Sequence, residues 1–319
     1  PPEEAVLQKG VKLLAVARSL SKSKKAAQYL DAIGAFYEDW ETIDNQTRKE
    51  RYAQKMEEMY LENKEDTEVA VFYALALRSS AIPTDQTYAK QREAGKILEE
   101  LFEKEPNHPG IAHYIIHSYD YPELAALGLS TARRYADIAP NSAHAQHMPS
   151  HIFTRLGLWE ESIKTNINSA SSAVCYAEST VPGAHWDEEV HAMGYLVYAY
   201  LQTGNNTLAN EQYNYLKSFE KIFPPNFKIA YTAAAIPARI AVENKNWEVA
   251  SKIELPQIGE MEWQNFPWQK SLLHFARALG TIHTNNPEAT EQELGLLRSF
   301  KDELMGLSDV YKANQVAIQ

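Results

Sequence analysis

The chain has 319 residues, 45% of them hydrophobic and 23% charged, a composition in the globular range with room for two ordinary domains or one extended array of repeats. Its formal net charge is 31 − 42 = −11, and no basic cluster offsets it, which argues against nucleic acid or an anionic membrane surface as partner. The apolar runs fall well short of the roughly 18–20 residues that span a bilayer, so no membrane insertion is expected. A single cysteine, Cys175, excludes internal disulfides, four-cysteine zinc sites and iron–sulfur clusters.

Taken in chain order, the periodicity is helical almost throughout. Helices are expected over 3–19, 22–38, 46–62, 66–79, 86–104, 110–119, 122–137, 143–156, 159–173, 187–203, 206–221, 228–244, 247–253, 268–284 and 287–304. Ala94, Ile97, Leu98, Leu101 and Phe102 illustrate the stripe that a buried helix face requires. Proline and glycine punctuate the pattern at Pro83, Pro106–Pro109, Pro140, Pro182–Gly183, Pro224–Pro225 and Pro256–Pro267. Alternating strand patterns are absent, so the fold class is all-α, with short helices paired into hairpins. Pro149 falls inside an expected helix, where it removes one backbone bond and bends the helix. The stretch 174–186 reads as a loop.

Histidine is distributed unevenly. Six of ten histidines lie between His108 and His151. The stretches "PNHPGIAHYIIH" (106–117) and "PNSAHAQHMPSH" (140–151) both read Pro-Asn, five residues, then His-x-x-x-His. Their spacing is 140 − 106 = 34 residues. At about 100° per residue, His113, His117 and Asp120 share one helix face, as do His144, His147 and His151.

Three later segments, "FTRLGLWEES" (153–162), "YLQTGNNTLA" (200–209) and "AVENKNWEVA" (241–250), share a layout of large or small residue, turn residue, then small residue in the next helix. This layout resembles the tetratricopeptide repeat, in which small residues let two antiparallel helices approach and a proline ends the second. In that register Pro106 and Pro140 are the helix-ending prolines, Gly157 and Gly204 the turn residues, and Ala94, Ala209 and Ala250 the small residues. The wording "HPGIAHYIIHSYD" with "HAQHMPSHIFTRLGLW" is similar to a bacterial branch of that family carrying a histidine-rich pair of repeats.

The resemblance implies a right-handed superhelix of antiparallel helix hairpins. It covers about 66–305, with 1–65 as a helical N-terminal cap and 306–319 as a C-terminal tail, in one continuous α-solenoid. It also implies that His113, His117, His144, His147, His151 and His191 lie on the family's concave, ligand-binding face. It implies no reaction.

An all-nitrogen donor set suits Zn²⁺, Fe²⁺, Ni²⁺ or Cu²⁺ better than Ca²⁺ or Mg²⁺. The leading expectation is therefore a binding protein whose histidine cluster holds a divalent metal that captures a small molecule or peptide. A metal-dependent hydrolytic or oxidative enzyme in the same groove, and a metal-free interaction scaffold, are the alternatives. The same histidines could also serve an organic ligand directly, or packing. Asp120, His108 and Asp187 are secondary candidates: Asp120 as a further ligand, His108 as a ligand or a turn cap, and Asp187 as a group orienting His191 from four residues away. His185 is expected to face solvent, and His274 and His283 to be structural. No phosphate-binding glycine motif, nucleophile elbow or H-E-x-x-H appears, so no nucleotide cofactor and no zincin protease chemistry is expected. The opening "PPEEAVLQKG" has no signal-peptide h-region, and both cytoplasm and periplasm are compatible with it.

Overall fold

A computed structural model describes Pro2 and residues 4–319. The described residues are α-helical apart from loops and turns, a short 3₁₀ helix (Trp263–Asn265) and two strands of two residues each. They divide into two compact units, residues 1–138 and 139–319.

The first unit holds α1 (Glu4–Leu20), α2 (Lys24–Tyr37), α3 (Asn45–Glu62), α4 (Thr67–Ser79), α5 (Ala89–Lys104), α6 (Pro109–Tyr119) and α7 (Ala125–Ile138). Each helix packs on its neighbour in the chain, and α4 also touches α6. Short polar side chains start several helices by accepting orphan backbone N–H groups: Ser23 before α2, Asp44 before α3, Asp66 before α4. Ala94 in α5 is completely buried, as are Ile111, Ile115 and Ile116 of α6.

The second unit begins with α8 (Ala143–His147) and α9 (Pro149–Leu156), followed by α10 (Trp159–Thr180), β1 (His185–Trp186), α11 (Asp187–Gln202), α12 (Asn206–Lys217), β2 (Ile222–Phe223), α13 (Phe227–Glu243), α14 (Trp247–Ala250), α15 (Pro267–His283), α16 (Pro287–Gly306) and α17 (Val310–Ile318). α11 packs on α10, α12 and α13, and α13 packs on α15. The strands β1 and β2 pair in parallel, His185 with Ile222 and Trp186 with Phe223. Ala209 and Ala250 are fully buried, and Gly157 and Gly204 adopt φ of 69° and 74°, the left-handed conformation that ends a helix most cheaply on glycine.

Three segments differ from the sequence reading. The expected helix 143–156 is two helices joined at Met148, because Pro149 brings no N–H to the ladder and starts α9 as its first residue. The expected loop 174–186 is helical as far as Thr180. Ala173 and Ala177 bury one face there, and nothing breaks the helix before Pro182 and Gly183. Residues 310–318 are also a helix, anchored by buried Ala313 and Val316 against Leu297, Phe300 and Leu304.

Candidate metal centre

Three of the histidines come together within the second unit. His147 is the last residue of α8, His151 lies in the first turns of α9, and His191 lies in α11. One ring nitrogen from each falls within 4.8 Å of the other two. The His147 and His191 ring centroids are 4.4 Å apart, and those of His147 and His151 are 5.0 Å apart. The break at Pro149 bears directly on this arrangement. It lies between His147 and His151, so the two imidazoles are carried by separate short helices.

Hydrogen bonding orders the cluster. Asn166, buried on α10, donates its amide to Ser162 O at 2.8 Å, which turns its oxygen toward His147. His147 Nδ1–H donates to that oxygen at 2.7 Å, so Nδ1 carries the proton and Nε2 presents its lone pair. His147 Nε2 faces His151 Nε2 at 3.2 Å, and Tyr195 Oη lies 3.4 Å from His151 Nδ1. Ser150 Oγ donates to the His147 carbonyl at 2.7 Å and fixes the backbone at the helix break. Two imidazole nitrogens bound to one tetrahedral ion at 2.0–2.1 Å would be about 3.3 Å apart. The 3.2 Å separation is therefore close to what an ion needs.

Electrostatics favour the neutral rings that a metal requires. Burial, then the neighbouring His191 and His151, hold His147 well below the usual imidazole range. Burial likewise lowers His191 to about 4, and the negative charge of Glu188 only partly opposes it. Both imidazoles are thus unprotonated at neutral pH, with lone pairs available.

The other candidates occupy distinct settings. His144 is half-exposed on α8, with its ring 6.3 Å from that of His147 and Nδ1 3.4 Å from buried Glu188. Burial disfavours ionisation of Glu188, but hydrogen bonds from His144 and Lys228 outweigh it and hold the carboxyl down at about 2. Asp187 accepts from Asn226 at 2.7 Å and lies 3.5 Å from Lys228 Nζ; it is Glu188 that acts on His191 electrostatically.

In the first unit, His113 and His117 meet edge to face on α6 with ring centroids 4.6 Å apart. Tyr135, pushed up to about 12 by burial and then by Tyr114, keeps its hydroxyl proton, and its Oη lies 3.3 Å from His113 Nδ1. His108 caps α6, its Nδ1 accepting from Ile111 N at 3.2 Å while Nε2 lies 3.2 Å from Glu68. Asp120 is the C-cap residue of the same helix.

No family model and no curated protein matches the chain. Three converging nitrogens, one preset tautomer and two rings held neutral mark the site.

Two side chains that matter were not singled out from sequence. Asn166 is 19 residues from His147 on another helix, and only the packing of α10 against α8 brings them together. Tyr195 stands four residues after His191, a spacing that places both on one face of α11 and was visible in the sequence. His185, expected in solvent, is instead partly buried, stacked at 3.4 Å on Phe219 and bonded to Glu189 at 3.0 Å. β1 holds it there by pairing with β2. His274 bonds Glu293 at 2.6 Å and His283 stacks on Trp247, both structural placements.

Proposed function

We propose that this chain is a tetratricopeptide-like binding protein that holds one divalent transition metal on His147, His151 and His191 and uses it to capture a small molecule or peptide. The observation that carries the reading is the convergence of three imidazole nitrogens, from α8, α9 and α11, within 4.8 Å of one another. The all-nitrogen set favours Zn²⁺, Fe²⁺, Ni²⁺ or Cu²⁺. The repeat reading is supported by the alternate packing of α11, α13 and α15, and by the fully buried alanines at its small-residue positions.

Elemental analysis of tag-free protein, followed by zinc titration, tests this function. The expected result is about one ion per chain, or uptake to that level. Metal far below that ratio with no uptake overturns it.

One observation favours a second reading in the same place. Three protein nitrogens leave a tetrahedral ion one position for water or substrate, which is the arrangement of catalytic rather than closed structural sites. An exchangeable water ligand on the loaded protein would favour a metal-dependent hydrolase or oxidase. A saturated coordination sphere would favour binding alone.

A further inference from the structure

The hairpins of the second unit are unequal. α12 and α16, which follow α11 and α15, run for 12 and 20 residues, whereas α14, which follows α13, ends after four. Beyond Ala250 the chain leaves helical form until Trp263. α13 carries Pro237 in its interior, on the same side as Ile240 and Ala241. A cavity of about 420 Å³ lies between this side of α13, the Asn210 and Tyr213 side of α12, and residues 248–254. That volume is within the range of small-ligand sites.

Hydrocarbon dominates the walls. Pro237, Ile240 and Ala241 form one side, Val249 and Ile253 another, and Tyr213 a third. Ala241 and Ile253 are buried and belong to the packed cluster that includes Ala250 and Leu273. The floor of the cavity is thus part of a core, which holds its shape.

The polar groups are few and share one face. Asn210 and Tyr213 stand three residues apart on α12. Asn210 donates one N–H to Asn206 O at 2.7 Å. Among the described residues neither its Oδ1 nor Tyr213 Oη has a hydrogen-bond partner. Asn210 is exposed and Tyr213 half-buried, so a ligand can reach both. Together they offer an acceptor and a donor beside an apolar surface. At the rim Lys252 pairs with Glu248 at 3.4 Å, and Glu254 adds a second carboxylate. Two acids against one base disfavour an anion. The match is a molecule with a compact hydrocarbon body, one hydroxyl and no negative charge. A planar ring suits the Tyr213 side, because aromatic rings pack favourably on one another.

We propose that the cavity between α12, α13 and residues 248–254 binds a small phenol, with its ring against Pro237, Ile240 and Ile253 and its hydroxyl on Asn210 and Tyr213. No residue of the metal centre lines this cavity, so the site does not depend on the metal.

The test follows the δ-methyl resonance of Ile253 during titration of the full-length protein with 4-ethylphenol and, separately, with ethylbenzene. Both compounds should shift it saturably, because the ring supplies the contact. The double variant Asn210→Ala/Tyr213→Phe should weaken 4-ethylphenol by about three- to tenfold, the loss of one hydrogen bond, and leave ethylbenzene unchanged. Asn210 is exposed and phenylalanine keeps the Tyr213 ring, so this variant retains the fold. Val249→Trp, at an exposed position on the cavity wall, adds bulk over the opening and should abolish the shift for both compounds. No shift at Ile253 in the wild type, an unchanged shift in Val249→Trp, or equal effects on the two compounds in the double variant would each overturn the proposal.

Discussion

His147 Nε2 and His151 Nε2 face each other at 3.2 Å. Because Asn166 holds the His147 proton on Nδ1, a hydrogen bond between the two rings takes its proton from His151 Nε2. A metal ion would take that proton's place. His151 could then carry its proton on Nδ1, toward Tyr195 Oη, without altering the surrounding heavy atoms.

Removing a ligand nitrogen should cost metal affinity and leave the helices in place. His191→Ala and His151→Ala are each expected to weaken zinc binding by about 100-fold or more, with far-UV circular dichroism unchanged. His147→Ala should do the same but also lower stability by about 2 kcal/mol or more, because the ring is fully buried and its loss leaves a cavity. Isothermal titration with zinc reads the affinity and urea unfolding the stability. Wild-type affinity in all three variants would mean the ion does not bind here.

Asn166 tests the hydrogen-bond relay without touching the proposed ion. Asn166→Leu keeps the volume but removes the acceptor for His147 Nδ1–H, so the ring is free to present the wrong nitrogen. Losses of this kind at outer partners of histidine ligands are about 10- to 100-fold in metal affinity. Competition against a chromophoric chelator would measure it. Equal affinity in wild type and Asn166→Leu would remove Asn166 from the account of the site.

Much of this was legible in the residue order, for identifiable reasons. Helix-ending prolines, capping Ser, Asp and Asn residues and apolar stripes are local signals, and they locate most helix ends to within a few residues. Ala94, Ala209 and Ala250, singled out as small residues between helices, are all fully buried. The face shared by His147 and His151 followed from spacing alone. What spacing could not show was anything set by contact between helices. Asn166 beside His147, Glu188 rather than Asp187 acting on His191, and Phe219 beneath His185 all depend on how α10, α11 and β2 pack. The end of α10 was missed for a different reason: a run of small residues reads as loop by composition but continues as helix when one side is buried.

Acid should destabilise the metal-free protein. His191 titrates near 6.5 when unfolded and near 4 when folded, with burial as the main cause, and His147 is lowered in the same direction. Between those values the unfolded chain binds more protons than the folded one, so stability falls as pH falls. The contribution is complete above about 6.5, declines below it and is lost near 4, on the order of 3 kcal/mol for His191. Urea midpoints measured in chelator across that range should fall more steeply for wild type than for His191→Gln. Parallel profiles would show that His191 does not titrate as described.

Two glycines predict opposite responses to the same substitution. A Cβ on Gly280, in α15, would fall on the backbone of Ala250 and Ser251 at the end of α14, where no flexible side chain can move aside. The helices approach closely only because that atom is absent. Gly280→Ala should therefore cost about 1–3 kcal/mol, the range for an overpacked contact. Gly295, in the middle of α16, is exposed, and a Cβ there would meet nothing within 4 Å. Gly295→Ala should stabilise by about 0.5–1 kcal/mol, because alanine loses less backbone freedom on entering a helix. Thermal unfolding of the two variants side by side is decisive. A stabilised Gly280→Ala would show that α15 does not seat against the end of α14 as described, whereas a destabilised Gly295→Ala would show that α16 carries a contact at that face.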